Sequence, residues 1–183
     1  MMKLRQSGSE RGVAMIEAMI AIVVVSFGLL AVAGLQLAGM RVSQMAYYRS
    51  VATTQAYDMA DRMRANIAGV NSGAYNAITS TAPARPACSN PFAATGCAAA
   101  VMATYDAYAW LTEIGRVLPG GSGSVTRIFS GANATNAFDI SVIWTEKCTP
   151  GETSPSSSLT PASPTTCPNT GVWNRTFRTQ FAP

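Results

Sequence analysis

The chain has 183 residues, four cysteines, no histidine and a formal net charge of +4. The missing histidine excludes Ser-His and Cys-His catalysis and removes the commonest metal ligand. The first twelve residues hold three basic side chains and one acid, +2 of the total; the nearly neutral remainder has no basic cluster denser than Arg62 and Arg64, so no nucleic-acid partner is expected.

Lys3, Arg5 and Arg11 form a short basic leader with Glu10. An apolar run follows, broken early by Glu17. From Ala18 to Met40 there is no charged residue over 23 positions. As a helix this run spans about 34 Å, enough to cross a bilayer. It is too long for an ordinary signal-peptide core and continues into further helical pattern. Positive residues stay on the cytoplasmic side, so the long remainder is expected beyond the inner membrane. A plain anchor would gain from Leu or Val in place of Glu17. A carboxylate in a membrane helix is costly and calls for a positive partner.

The sequence Gly12-Val13-Ala14-Met15-Ile16-Glu17, after a basic leader and before an uncharged run, resembles the processing site of type IV prepilins and pseudopilins. That resemblance implies cleavage by a prepilin peptidase between Gly12 and Val13 and N-methylation of Val13. It also implies a salt link from Glu17 to the α-amine of a neighbouring subunit. Val13 departs from the usual Phe or Met at the first mature position. Two charges that are costly in lipid offset each other when paired.

From Arg41 the pattern becomes striped. Val42, Met45, Ala52, Ala56, Met59, Met63 and Ile67 recur at helical spacing, and Asp58 and Arg62 form an i,i+4 pair. No proline interrupts up to Val70, and Gly69 is the expected stop. Residues 71–99 read as a loop of small and polar residues. Residues 100–118 return to helical spacing through Tyr108, Leu111, Ile114 and Leu118, ended by Pro119, Gly120 and Gly121. Strands are predicted at 125–129, 138–144 and 172–181. A Pro-, Ser- and Thr-rich loop lies at 148–171. Trp110, Trp144 and Trp173 are expected in the core.

Cys88, Cys97, Cys148 and Cys167 form no C-x-x-C pair, so zinc and thioredoxin-like chemistry are not expected. In an exported domain the default is two disulfides, with three connectivities open. The sequential one, Cys88–Cys97 and Cys148–Cys167, is favoured by its short intervals, each bond stabilising by about 2–3 kcal/mol. The acids of the soluble part, Asp58, Asp61, Asp106, Glu113, Asp139, Glu146 and Glu152, are scattered. No G-x-S-x-G motif occurs, so neither an enzyme nor a cofactor is expected.

The elements predict a small α+β head joined to a long helix. The expected organisation is a leader at 1–12, a transmembrane or filament-core helix at 13–40, its amphipathic continuation at 41–69, and a periplasmic head at 70–183. The runs Tyr105-Asp106-Ala107-Tyr108-Ala109-Trp110, Leu118-Pro119-Gly120-Gly121-Ser122-Gly123 and Phe138-Asp139-Ile140-Ser141-Val142-Ile143-Trp144 resemble minor pilins of the PilV class. So does Asp61-Arg62-Met63-Arg64-Ala65-Asn66. The resemblance implies a type IV pilin-like fold: a long N-terminal helix on a small antiparallel sheet with an additional helix. It also implies a single-pass inner-membrane subunit that passes into the pilus, with the major pilin, other minor pilins and a tip adhesin as partners. The alternative is a pseudopilin of a type II secretion machine. No EF-hand acid cluster of the kind that would favour a Ca²⁺-binding pseudopilin occurs.

Overall fold

A computed structural model describes residues 10–87, 96–130, 133–148, 151, 153–154 and 165–183. The chain divides into two compact units, Met1–Met45 and Ala46–Pro183. Helix α1, Glu10–Ala65, contributes to both.

From Ala18 to Met40, within the first unit, α1 is uncharged and apolar on all sides. Leu35 is 75% exposed and Phe27 69%, and none of the most apolar window is buried within the chain. A helix that is hydrophobic all round needs an apolar surrounding, and this one is long and apolar enough to cross a membrane.

In the second unit α1 becomes one-sided. Ala52, Ala56, Met59, Ala60 and Met63 are buried, while the faces carrying Tyr57, Asp61 and Arg64 are exposed. The helix ends at Ala65, four residues before the expected stop at Gly69. Asn66 leaves helical geometry (φ −118°, ψ 56°), and its side chain accepts the Gly69 N–H, capping the short helix α2, Ile67–Asn71. Gly69 has a packing role instead: a Cβ there would sit 2.5 Å from the Asn66 side chain. The break turns Ile67 out of the stripe, leaving it 43% exposed. Val42, on the apolar side of the unit boundary, is 63% exposed.

Strand β1, Ala77–Ile78, lies inside the stretch read as loop. Helix α3 runs Ala99–Val117 and buries Ala103, Asp106, Ala107, Trp110, Leu111 and Ile114, with Tyr108 only half-buried. Strands β2, Ser122–Ser130, and β3, Asn133–Lys147, extend beyond their predicted lengths. Strand β6, Val172–Phe181, has the predicted bounds. The antiparallel sheet has the order β1-β2-β3-β6, and the pair β4 (Thr153–Ser154) and β5 (Thr165–Thr166) stands apart.

The register puts Val125, Phe138, Ile140, Val142, Trp144 and Phe181 on one face, where they join the α1 and α3 side chains in a single core. Alternation of period two selects that face. The link from α3 to the sheet explains its glycines. Gly120 has φ +58°, which a Cβ would strain. A Cβ on Gly121 would lie 2.4 Å from the Ile114 carbonyl oxygen. A Cβ on Gly123 would lie 2.4 Å from the Trp110 ring, so Gly123 is the floor on which that ring rests. Trp110 is fully buried, and its Nε1–H donates to the Gln55 carbonyl at 2.8 Å, tying α3 to α1.

Candidate functional site

Glu17 lies in the exposed, apolar half of α1. Gly12 and Val13 fall in the first turns of the same helix; their side chains, like leader residues 1–9 and Cys88, lie outside the described residues. Val13 and Glu17 are four residues apart in one helix and so share a face. Ala14–Glu17 and the residues after it as far as Gln44 are all exposed, so the Glu17 carboxylate lies on an apolar helix surface. Between Gly12 and Met40 this helix carries a single charged residue, Glu17.

The head contains two buried polar constellations. The first ties α1, the α2 turn and α3 together. The Tyr75 hydroxyl donates to Asp106 Oδ2 at 2.5 Å, and Asn66 Nδ2 donates to the Tyr75 oxygen at 3.1 Å and the Ala99 carbonyl at 2.8 Å. Arg62 donates from Nε to Asp58 at 2.8 Å and places Nη1 3.5 Å from Asp106 Oδ1. Burial pushes the Asp106 carboxyl above its ordinary value, against the opposing pull of Tyr75 and Arg62. Burial likewise raises the Tyr75 phenol, reinforced by its bond to the Asp106 carboxylate. Burial lowers the Arg62 value, but the hydrogen bond and charge of Asp58, with Asp106 behind it, outweigh that and raise it. The group is thus a connected chain of donors and acceptors, the condition under which buried polar groups rigidify a fold.

The second constellation lies on the core face of β3 and β6. Trp144 is opposite Arg175 and Glu146 opposite Trp173. Glu146 accepts from Arg175 Nε at 2.8 Å and from Trp144 Nε1 at 3.0 Å. The Arg175 guanidinium lies 4.4 Å over the Trp173 ring centroid. Both charges are almost fully buried, so the pair depends on these partners to offset desolvation. Just beyond it Cys148 and Cys167 form a disulfide, and the Cys148 N–H donates to the Gly171 carbonyl at 2.9 Å. Cys97 is disulfide-bonded as well.

The sequence identifies the Asp58–Arg62 pair but not that Arg62 also reaches Asp106, a residue read as one scattered acid among several. A signal was available: Tyr75 is the one aromatic residue between Asn71 and Ala87. The three tryptophans are buried as expected, at 0% for Trp110, 2% for Trp144 and 6% for Trp173.

Residues 34–108 match the family model described as Tt1218-like, type IV pilin Tt1218. No curated protein and no solved structure matches the chain. The matched stretch runs from Gly34 in the apolar half of α1 to Tyr108 in α3. It contains Asp58, Arg62, Asn66, Tyr75 and Asp106, and excludes both the Gly12–Glu17 motif and the main strands. The long N-terminal helix, the four-stranded antiparallel sheet and the extra helix form a type IV pilin-like α+β fold, and the chain is similar to type IV pilins over the segment joining that helix to α3.

Proposed function

We propose that the chain is a minor pilin of the PilV class. It primes assembly of the type IV pilus with other minor pilins and is incorporated at or near the tip beside a tip adhesin. The single observation that carries this reading is the apolar half of α1, exposed on every side and interrupted only by Glu17, on the helical face of Val13. Such a rod serves two surroundings in turn. In the inner membrane it contacts lipid, with the head periplasmic. In the filament it contacts the same rods of neighbours, including the major pilin. Prepilin peptidase, cutting after Gly12, frees and methylates the Val13 amine. Glu17 of an incoming subunit then pairs with such an amine on a neighbour, and each charge lowers the cost of the other.

The test has two parts. Mass spectrometry of the mature chain is expected to find N-methylvaline from Val13; a chain still beginning at Met1 overturns the processing. Glu17→Ala is expected to leave membrane insertion intact and to cut recovery in sheared pili. Unchanged recovery removes the role given to Glu17. A pseudopilin of a type II secretion machine is the second reading, since the same rod serves both. Deleting the gene separates them: loss of twitching motility with normal secretion favours the pilus, and the converse favours secretion.

A further inference from the structure

Between Ala18 and Met40 α1 carries two polar side chains, Ser26 and Gln36. They stand differently. The Ser26 hydroxyl donates to the Ile22 carbonyl at 2.7 Å, one turn back in the same helix. Gln36 is exposed, and among the described residues its side-chain amide makes no hydrogen bond. A primary amide has two N–H donors and a carbonyl acceptor, and hydrocarbon satisfies none of them.

Gln36 lies five residues before Arg41, the first charge after the apolar run, about 7.5 Å along the axis. The nearer aqueous surface is at the Arg41 end. A long helical side chain leans toward the N-terminus of its helix, so the Gln36 amide leans away from Arg41 and deeper into the apolar stretch. Its direction is therefore against escape to water.

The face that carries Gln36 has the pattern of a helix–helix seam. Leu29, Val32, Gln36, Gly39 and Ser43 follow steps of three and four, with Gln36 at an a position of the heptad. All five are exposed. A Cβ on Gly39 would meet nothing within 4 Å, so another backbone has room to approach one turn from Gln36. A single polar residue at an a position sets register and orientation in such a pair. Glu17, 19 residues earlier, is about 100° away round the helix, so contact along this seam leaves it free.

The chemistry selects the partner. The neighbour must present, at the depth of Gln36, a group that both donates and accepts. A second copy in the same membrane has the same topology, so its α1 runs parallel and its own Gln36 lies at that depth. Two primary amides are self-complementary, each donating an N–H to the carbonyl oxygen of the other. The two-fold pair then uses the same patch on both copies.

We propose that Gln36 joins two copies of this chain in the membrane, through reciprocal amide hydrogen bonds on the Leu29–Ser43 seam of parallel α1 helices. The inference rests on the reading of the apolar half of α1 as membrane-inserted and not on incorporation into a filament.

The test uses the full chain, labelled at its N-terminus with donor or acceptor fluorophore and reconstituted in phosphatidylethanolamine–phosphatidylglycerol vesicles. Energy transfer is expected at high protein-to-lipid ratio and is expected to fall as lipid is added. Gln36→Leu is expected to weaken association about tenfold, the loss of two interhelical hydrogen bonds. Gln36→Asn, which keeps an amide, is expected to stay close to the wild type, and Ser26→Ala to match it. Equal association of Gln36→Leu and the wild type overturns the role of Gln36. In native membranes under oxidising conditions, Val32→Cys is expected to form an intermolecular disulfide and Leu30→Cys, on another face, is not. The reverse pattern overturns the seam. A photo-crosslinking residue in place of Val32 is expected to capture a second copy; capture of a different protein alone overturns the self-pair. Resistance to alkaline extraction scores insertion separately. A chain that is extracted overturns the membrane reading and the pair together, whereas an inserted chain that is monomeric at every lipid ratio overturns the pair alone.

Discussion

The apolar half of α1 and the head solve the same problem in opposite ways. The head turns its large apolar side chains inward: Trp110, Phe138, Ile140 and Val142 are fully buried. Its interior charges, Glu146 and Arg175, are satisfied within the chain. The other region turns everything outward, with Ile16, Val24, Leu30 and Leu37 each more than 60% exposed and one acid among them. Burial in the head stabilises a fold of one chain. Exposure in the apolar half of α1 stabilises nothing until an apolar surrounding covers it. The same residue types in the same helix are therefore buried within the chain after Ala46 and left exposed before it.

The sharpest way to break this comparison is to alter each region and look for effects in the other. Glu17→Ala is expected to abolish or nearly abolish incorporation while leaving the thermal unfolding of the head unchanged. A lowered melting temperature would show that the acid serves the fold. Trp110→Ala is the converse, removing the ring that joins α1, α3 and β2, at about 3–5 kcal/mol in denaturant titration. Membrane insertion should not change. Removing both Cys148 and Cys167 by serine substitution opens a loop of sequence separation 19 and is expected to cost about 3 kcal/mol. Gly123→Ala pushes a methyl into the Trp110 ring and is expected to cost about 1–3 kcal/mol, with no loss of helix content by circular dichroism.

The smallest effect concerns pH. The Asp106 carboxyl is held above its ordinary value chiefly by burial, so the folded head binds this proton more tightly than the unfolded chain. Its contribution is most favourable at low pH and is lost as pH rises through the folded value. Asp106→Asn removes that dependence. Comparing the two proteins in denaturant titrations from pH 3 to 7, the variant should gain on the wild type as pH rises. A gain in the other direction would show that Arg62 and Tyr75, not burial, govern this carboxyl.

Much of this was legible in the sequence where the pattern is local. Uncharged length marks the apolar half of α1, with Glu17 its one acid after Gly12. Helical spacing finds α3, and alternation finds β6 to the residue. The Pro-Gly-Gly run announces a turn, although only the structure shows that Gly121 and Gly123 are required by Ile114 and Trp110. Gly69 is the more obvious helix breaker in the sequence, but the side chain of Asn66 ends α1 earlier by capping the next helix. Strand β1 is not visible in the sequence, because two residues carry no period and the strand depends on Val125 and Thr126 of β2 as partners.

The sequence by itself determined where this protein is apolar, where its charges fall and which segments can be helix or strand, because those depend on residues near one another in the chain. Only the tertiary structure decided that Asp58, Arg62, Asn66, Tyr75 and Asp106 form one connected cluster, and that Glu146 is buried with Arg175. Each of these depends on which elements become neighbours, and that is set by packing across separations no local pattern records.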